Sequence, residues 1–166
     1  MKRITKIISD PQYKHFLVQN EQSELNRSFC RHDFNHLLHV ARLTYLLVLE
    51  NNLEHLIRKD VAYAAGLLHD IGRWHQYENG SDHAQQSAIL AKPLLLKAGF
   101  EQKEIEMIIE AIMKHRNKKE CGNKENPGLP EVLKRADNLS RPCLLCPVKN
   151  SCNTIALQYN ANNLEY

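Results

Sequence analysis

The sequence predicts an all-α protein that folds as a single bundle of about six helices. Apolar residues recur at three- and four-residue intervals along most of the chain, and no stretch alternates in the manner of a strand. The length of 166 residues is enough for one domain with a core of normal size. With 43% hydrophobic and 25% charged residues, the composition excludes disordered and fibrous classes.

Capping and breaking residues indicate where the predicted helices begin and end. Asp10 and Asp33 are suitable N-caps for the first two helices. Gly72 and Gly99 follow the third and fourth helices, as residues just past a C-cap often do. Pro93 lies inside the fourth helix and predicts a kink or an early break. The six helices cover approximately residues 11–20, 34–50, 58–69, 82–98, 101–115 and 130–140.

Two of these helices combine an apolar face with a histidine. In the second helix, His36 and the three apolar residues that follow it on the same face are separated by four, three and four residues, which is the period of a core-facing helix. In the third, small residues, among them Gly66, share the inner face with His69 and let a neighbouring helix approach closely. Between the fifth and sixth helices, the polar segment 116–128 is either a lid over a site or a solvated crossover.

Charge and hydropathy exclude several functional classes. Lys and Arg number 22 against 19 Asp and Glu, a surplus of three that is too small to indicate nucleic-acid binding. No apolar run approaches the ~20 residues of a membrane span, and no signal peptide is recognisable. We therefore expect a cytoplasmic protein with no membrane partner, for which a homodimer stays open, and cysteines that serve as thiols or metal ligands.

The nine histidines and five cysteines point to metal chemistry, because these residues are common donors to transition metals. His69 and Asp70 are adjacent at the end of a predicted buried helix. Consecutive helical side chains diverge by about 100°, so both can face one ion only near a helix end. A buried aspartate also needs a cation or several donors to remain charged.

Three blocks in order resemble the HD superfamily of metal-dependent phosphohydrolases: NHLLHVAR with His36, AGLLHDIGR with His69 and Asp70, and LKRADNLSR with Asp137. The resemblance spans roughly residues 30–142. It implies an HD-like helical domain over residues 1–142, with the tail of residues 143–166 packed on it. His32 and His39 compete with His36 for the first ligand position, and His36 is preferred.

Two further histidines, His83 in HAQQSA and His115 in IIEAIMKHR, resemble those that hold a second metal in the binuclear branch of the superfamily. The alternative is that they bind substrate phosphate beside a single ion. Six nitrogen and oxygen ligands favour two irons or two manganese ions. Nickel, cobalt and zinc stay open as the divalent metal.

The implied activity is hydrolysis of a phosphoester or phosphoanhydride of a small nucleotide-like substrate by metal-activated water. Asp70 and Arg73 are the predicted catalytic residues, with Arg73 in contact with phosphate. Lys114 and Arg116 are weaker phosphate-binding candidates. Trp74 and Tyr77 would stack on a base or fill the core. The alternative function is a non-catalytic regulatory module that senses a metal, redox state or nucleotide.

A cysteine motif, C-x2-C-x5-C, follows the last predicted helix and lies outside the HD pattern. Three neighbouring thiolates indicate zinc or an iron–sulfur cluster, with ordinary thiols as the alternative. The fourth ligand would be Cys30 or Cys121. Cys30 is favoured because it precedes His36 by six residues, as Cys143 follows Asp137 by six. The predicted second site consists of Cys30, Cys143, Cys146 and Cys152.

Overall fold

The structure is a computed structural model that describes residues 1–116 and 127–152. Within these ranges the chain forms eight α-helices and no strand, which confirms the all-α prediction. Two short 3₁₀ turns, Cys143–Leu145 and Lys149–Ser151, follow the last helix. The helices are α1 (Lys2–Ser9), α2 (Pro11–Ser23), α3 (Phe34–Glu50), α4 (Lys59–Leu68), α5 (Arg73–Asn79), α6 (His83–Ala98), α7 (Gln102–Lys114) and α8 (Leu129–Leu139).

Some predicted features lie beyond these ranges. Most of the proposed lid, Cys121 and the chain after Cys152 are outside the described residues. In the described part, no helix has the length and apolar character that a membrane crossing requires.

The N-caps predicted at Asp10 and Asp33 are present in the structure. Their side chains, and likewise that of Asp82, accept hydrogen bonds from backbone N–H groups at the starts of α2, α3 and α6. Beyond the six predicted helices, α1 and α5 are additional. The eight-residue α1 is too short for a periodic signal, and α5 has no buried residue and thus no apolar face.

Two helix breakers behave differently from the prediction. α6 runs from His83 to Ala98 without breaking at Pro93, which lies on the exposed side, where water can solvate an unpaired carbonyl. Gly72 does not cap α4, since that helix already ends at Leu68. Instead Gly72 flanks the start of α5, and a Cβ there would lie 2.6 Å from the backbone nitrogen of Ser87. Glycine at this position therefore permits the close approach of α6.

The centre of the bundle is the pair formed by α3 and α4. Gly66 on α4 faces Ala41 on α3 so closely that a Cβ would lie 2.4 Å from the Ala41 Cα. The predicted close approach is therefore confirmed. α8 packs against α3, and α7 packs against α4, α6 and α8. This arrangement directs residues from five segments toward one interior point.

Candidate metal centre

The six side chains predicted as ligands of the HD site meet in the interior of the bundle. α3 and α8 provide one residue each, and the turn after α4 provides two adjacent ones. The start of α6 and the end of α7 provide the others. All are buried except Asp137, whose side chain is 26% exposed. The six are His36, His69, Asp70, His83, His115 and Asp137.

Their ligand atoms form two triads that share no residue. In the first triad, the Nε2 atoms of His36 and His69 lie 3.3 and 3.7 Å from Oδ1 of Asp137. The ligand atoms of a triad are all within 4.8 Å of one another. This spacing allows a single ion to contact all three residues.

The second triad is centred on Asp70. The Nε2 atoms of His83 and His115 lie 3.1 and 3.7 Å from Asp70 Oδ1. The other carboxylate oxygen, Oδ2, lies 3.4 Å from Nε2 of His69. Asp70 therefore stands between the two triads, next in sequence to a member of the first.

The histidines point Nε2 toward the carboxylates because Nδ1 is hydrogen-bonded to groups on the far side of each ring. Nδ1 of His69 and of His115 lies 2.8 and 2.6 Å from the carbonyl oxygens of Gly66 and Ile112, each three residues earlier. A carbonyl can only accept, so Nδ1 carries a proton and the neutral form of each ring has its lone pair on Nε2. This is the tautomer that a metal ligand needs at Nε2.

His36 and His83 are held by side chains. Nδ1 of His36 lies 3.3 Å from Ser140 Oγ, which donates its own proton to the Asp137 carbonyl. Nδ1 of His83 lies 2.5 Å from Gln76 Oε1. All four histidines of the two triads therefore have a partner at Nδ1.

Three of the inward-facing atoms have no hydrogen-bond partner in the described part of the chain. They are His69 Nε2, Asp70 Oδ1 and Asp137 Oδ1, all of them buried. Burying such atoms without a partner is costly. Divalent cations bound at the two triads would satisfy all three atoms, and nitrogen with carboxylate oxygen suits iron, manganese or zinc. The residues therefore fit a metal.

Both aspartates are ionised in this setting. Burial opposes ionisation of Asp70, but the charges of His69 and Arg73 hold its pKa well below the usual range. Burial also opposes ionisation of Asp137, but the nearby His36 and His69 rings and the charge of Arg141 hold its pKa well below the usual range. Both are thus available as anionic ligands.

Two histidines are held neutral. Burial lowers the pKa of His36 to about 4 against the opposing effect of Asp137. Burial likewise lowers the pKa of His83 against the attraction of Asp70. His69 differs, because the charges of Asp70 and Asp137 outweigh its burial and raise its pKa. Its proton would have to leave when a metal binds.

Two arginines flank the centre from opposite triads. Nη1 of Arg73 lies 2.9 Å from His83 Nε2 and 3.7 Å from Asp70 Oδ1. Nη2 of Arg141 lies 2.9 Å from His36 Nε2 and 3.7 Å from Asp137 Oδ1. Each guanidinium therefore reaches the atoms that would hold a metal.

Sequence analysis considered His32 only as an alternative to His36 for the first ligand position, and it missed Arg141. His32 is buried, with Nδ1 2.5 Å from Glu24 Oε1 and Nε2 3.7 Å from Asp70 Oδ2. It forms a third potential metal-binding group with His36 and Asp70. Arg141 stands four residues after Asp137, a helical spacing that could have indicated it.

Other candidates lie away from the triads. His39 is exposed on α3. Lys114 pairs with Glu110, and Arg116 approaches Asp82 at the surface.

The two aromatic candidates have contacts within the protein. The Trp74 ring stacks on that of His75, with centroids 3.6 Å apart. The hydroxyl of Tyr77 donates to Glu24 Oε1 at 2.6 Å, and Nε of Arg73 lies 3.4 Å from the same hydroxyl. Tyr77 thus connects Arg73 to the carboxylate that holds His32.

Comparisons with known proteins agree with this geometry. The HD domain family model matches residues 33–141, about two thirds of the chain, so the chain belongs to the HD domain family. An uncharacterized protein of Clostridium beijerinckii is 38% identical over 153 residues, which cover 92% of each chain. No solved structure shows a significant match.

Proposed function

We propose that the protein is a metal-dependent phosphohydrolase that cleaves a phosphoester or phosphoanhydride of a small nucleotide-like substrate. The observation that carries this proposal is the set of three buried, unpartnered atoms on His69, Asp70 and Asp137. Membership of the HD domain family supports it, because HD domains are typically metal-dependent phosphohydrolases.

The ligand arrangement supports two divalent ions. His36, His69 and Asp137 would hold one, and Asp70, His83 and His115 the other. When bound, such ions supply Lewis acidity and lower the pKa of coordinated water toward ~7. The protein's own contribution is to fix Nε2 of each histidine inward through its Nδ1 contact. His32 adds a neighbouring nitrogen beside Asp70.

Arg73 and Arg141 would bind and orient the phosphoryl group. A guanidinium matches phosphate oxygens with two parallel hydrogen bonds and stays charged at any working pH. Arg73 is also held by Tyr77, whose ring is 38% exposed. This ring next to a phosphate-binding cation supports a substrate that has a planar base.

The test is phosphate release from a panel of nucleoside mono-, di- and triphosphates and dinucleoside polyphosphates. The protein is first loaded separately with manganese, iron, cobalt, nickel or zinc. We expect turnover with at least one combination of metal and substrate. His69→Ala should lower this turnover at least a hundredfold and reduce the amount of bound metal. The matched control is His39→Ala, which removes an exposed histidine. Absence of turnover with every metal would contradict the proposal, as would full activity in His69→Ala.

A further inference from the structure

The cysteines that follow α8 lie next to the candidate metal centre but take no part in it. Cys143 is buried directly after the segment that carries Arg141. Cys146 and Cys152 are half-buried, as is Cys30 in the segment before α3. Four thiol side chains thus occur in two segments on either side of the His36–Asp137 contact.

Local turns bring the three C-terminal cysteines back toward one another. The backbone N–H of Cys146 donates to the carbonyl of Cys143 at 3.2 Å, and that of Cys152 to Lys149 at 3.1 Å. Between them, Lys149 N–H donates to the Cys146 carbonyl at 3.3 Å. Three successive i→i+3 turns therefore link Cys143 to Cys152 and keep the three cysteines within one short folded segment.

The segment that contains Cys30 lies beside the C-terminal cysteines because α3 packs against α8. Nη1 of Arg141 donates to the carbonyl of Arg31 at 3.1 Å, so the residues next to Cys30 and near Cys143 are joined directly. Nε of Arg27 donates to the carbonyl of Cys30 at 2.9 Å and orients that peptide. The segment before α3 is therefore fixed beside the first 3₁₀ turn.

The other three cysteines affect the ionisation of Cys143. Burial raises the pKa of the Cys143 thiol, and the charges of Cys30, Cys146 and Cys152 raise it further. Thiolates that repel one another in a partly buried place need a cation to be stable together.

We propose that Cys30, Cys143, Cys146 and Cys152 hold one thiophilic metal centre, separate from the His/Asp centre. Two centres share this four-thiolate chemistry, a tetrahedral zinc ion and a [4Fe–4S] cluster.

The thiolate centre would position two residues that face the His/Asp centre. Cys30 precedes His32 by two residues, and Cys143 follows Arg141 by two. A metal that joins the two segments would stabilise the hydrogen bond between Arg141 and Arg31. It would thereby keep the Arg141 guanidinium beside His36. The existence of this centre does not depend on the proposed function.

The test is metal and acid-labile sulfide analysis of the full chain purified without air, with X-ray absorption at the edge of each metal found. We expect sulfur ligands at about 2.3 Å around one zinc, or iron and sulfide in equal amounts with visible absorption. Cys143→Ser/Cys146→Ser should lose this metal and keep the metal with nitrogen and oxygen ligands. His69→Ala/Asp137→Asn should show the opposite loss.

Cys30→Ser and Cys121→Ser form the matched pair that tests the fourth ligand. We expect Cys30→Ser to lose the sulfur-bound metal and Cys121→Ser to keep it. Because a variant that fails to fold would also lose the metal, cobalt(II) added to the metal-free wild-type chain supplies an independent readout, a near-ultraviolet sulfur-to-cobalt charge-transfer band. The proposal fails if the wild-type chain shows no sulfur-bound metal and no such band. It also fails if the centre survives Cys143→Ser/Cys146→Ser, or if Cys121→Ser rather than Cys30→Ser removes it.

Discussion

Nε2 of His69 lies 3.7 Å from Oδ1 of Asp137, and both atoms are buried without a hydrogen-bond partner in the described residues. The two residues come from the turn after α4 and from α8, which contact each other across the bundle. A divalent ion between these two atoms would satisfy both, and an ion that binds only the folded site couples its binding to folding. Metal binding should therefore stabilise the fold.

Asp137→Asn should reduce the thermal stabilisation that divalent metal gives. At a hundredfold excess over Kd, binding to the folded state alone stabilises by about 2.7 kcal/mol, which raises Tm by several degrees. The amide has no negative charge, so it binds the ion more weakly. Differential scanning fluorimetry with manganese, after treatment with chelator, measures the shift. Asp10→Asn, at the N-cap of α2, should keep the wild-type shift; an unchanged shift in Asp137→Asn would contradict the assignment.

Arg141→Met should raise KM more than it lowers kcat if Arg141 binds the phosphoryl group of the bound substrate. Hydrogen bonds to a charged group contribute about 1.5 to 3 kcal/mol, which corresponds to roughly a 10- to 100-fold change in KM. Arg141→Lys should recover only part of the loss, since an ammonium cannot form the paired contact.

The comparison for Arg141 is Arg42→Met, which removes an exposed arginine from α3. Steady-state kinetics on the substrate that gives the highest turnover measure all three variants. Equal KM values for Arg141→Met and wild type would exclude a role in substrate binding.

The fold could be predicted largely because caps and apolar faces are local signals. Asp33 and the face that includes His36 defined α3 correctly. The meeting of His36, His69, Asp70 and Asp137 followed from a family pattern, which already encodes contacts distant in sequence.

The sequence offered His32 only as an alternative to His36, because the contacts that place it beside Asp70 are tertiary. Glu24 holds its Nδ1 and Asp70 lies near its Nε2, and neither relation has a periodic signature in the sequence. Gly72 was predicted to end a helix for a similar reason. Glycine is needed at this position because the backbone of Ser87 on α6 approaches it closely. Local rules describe the chain's own conformation, whereas these two residues are constrained by another helix.

Gly66→Ala should destabilise the bundle and weaken metal binding together. The new Cβ would lie 2.4 Å from the Cα of Ala41, and backbone cannot yield as a flexible side chain can. The α3–α4 pair must separate, at a cost of about 1 to 3 kcal/mol for overpacking. Gly66 also supplies the carbonyl that holds His69 Nδ1, so the ligand should shift with the helix.

Gly128→Ala is the matched control for Gly66→Ala, because its Cβ would meet chiefly the flexible end of Glu131 at 3.1 Å. Urea unfolding of the metal-free proteins measures the loss in free energy of unfolding. Titration with manganese measures the affinity for the metal. A Gly66→Ala protein as stable as Gly128→Ala would contradict the close approach of α3 and α4.

Glu104→Gln should destabilise the protein near neutral pH and much less in acid. Arg3 on α1 hydrogen-bonds to Glu104 on α7, with Nη2 2.9 Å from Oε1, and also to Asp60 on α4 through Nε at 2.7 Å. The hydrogen bond from Arg3 lowers the pKa of Glu104 below its ordinary 4.5. The folded state therefore binds fewer protons than the unfolded state, and the stabilisation is complete above pH 4.5 and lost as pH falls through the folded pKa.

At pH 7 we expect Glu104→Gln to lose roughly 1 to 2 kcal/mol, since a charged acceptor becomes a neutral one. Urea unfolding in chelator from pH 7 to pH 3.5 measures wild type and variant, and their difference should shrink below about pH 4.5. Glu110→Gln removes an exposed carboxylate of the same helix, paired with Lys114, and should cost less than about 0.5 kcal/mol. A difference between wild type and Glu104→Gln that stays constant down to pH 3.5 would show that the Arg3 contact does not depend on the Glu104 charge.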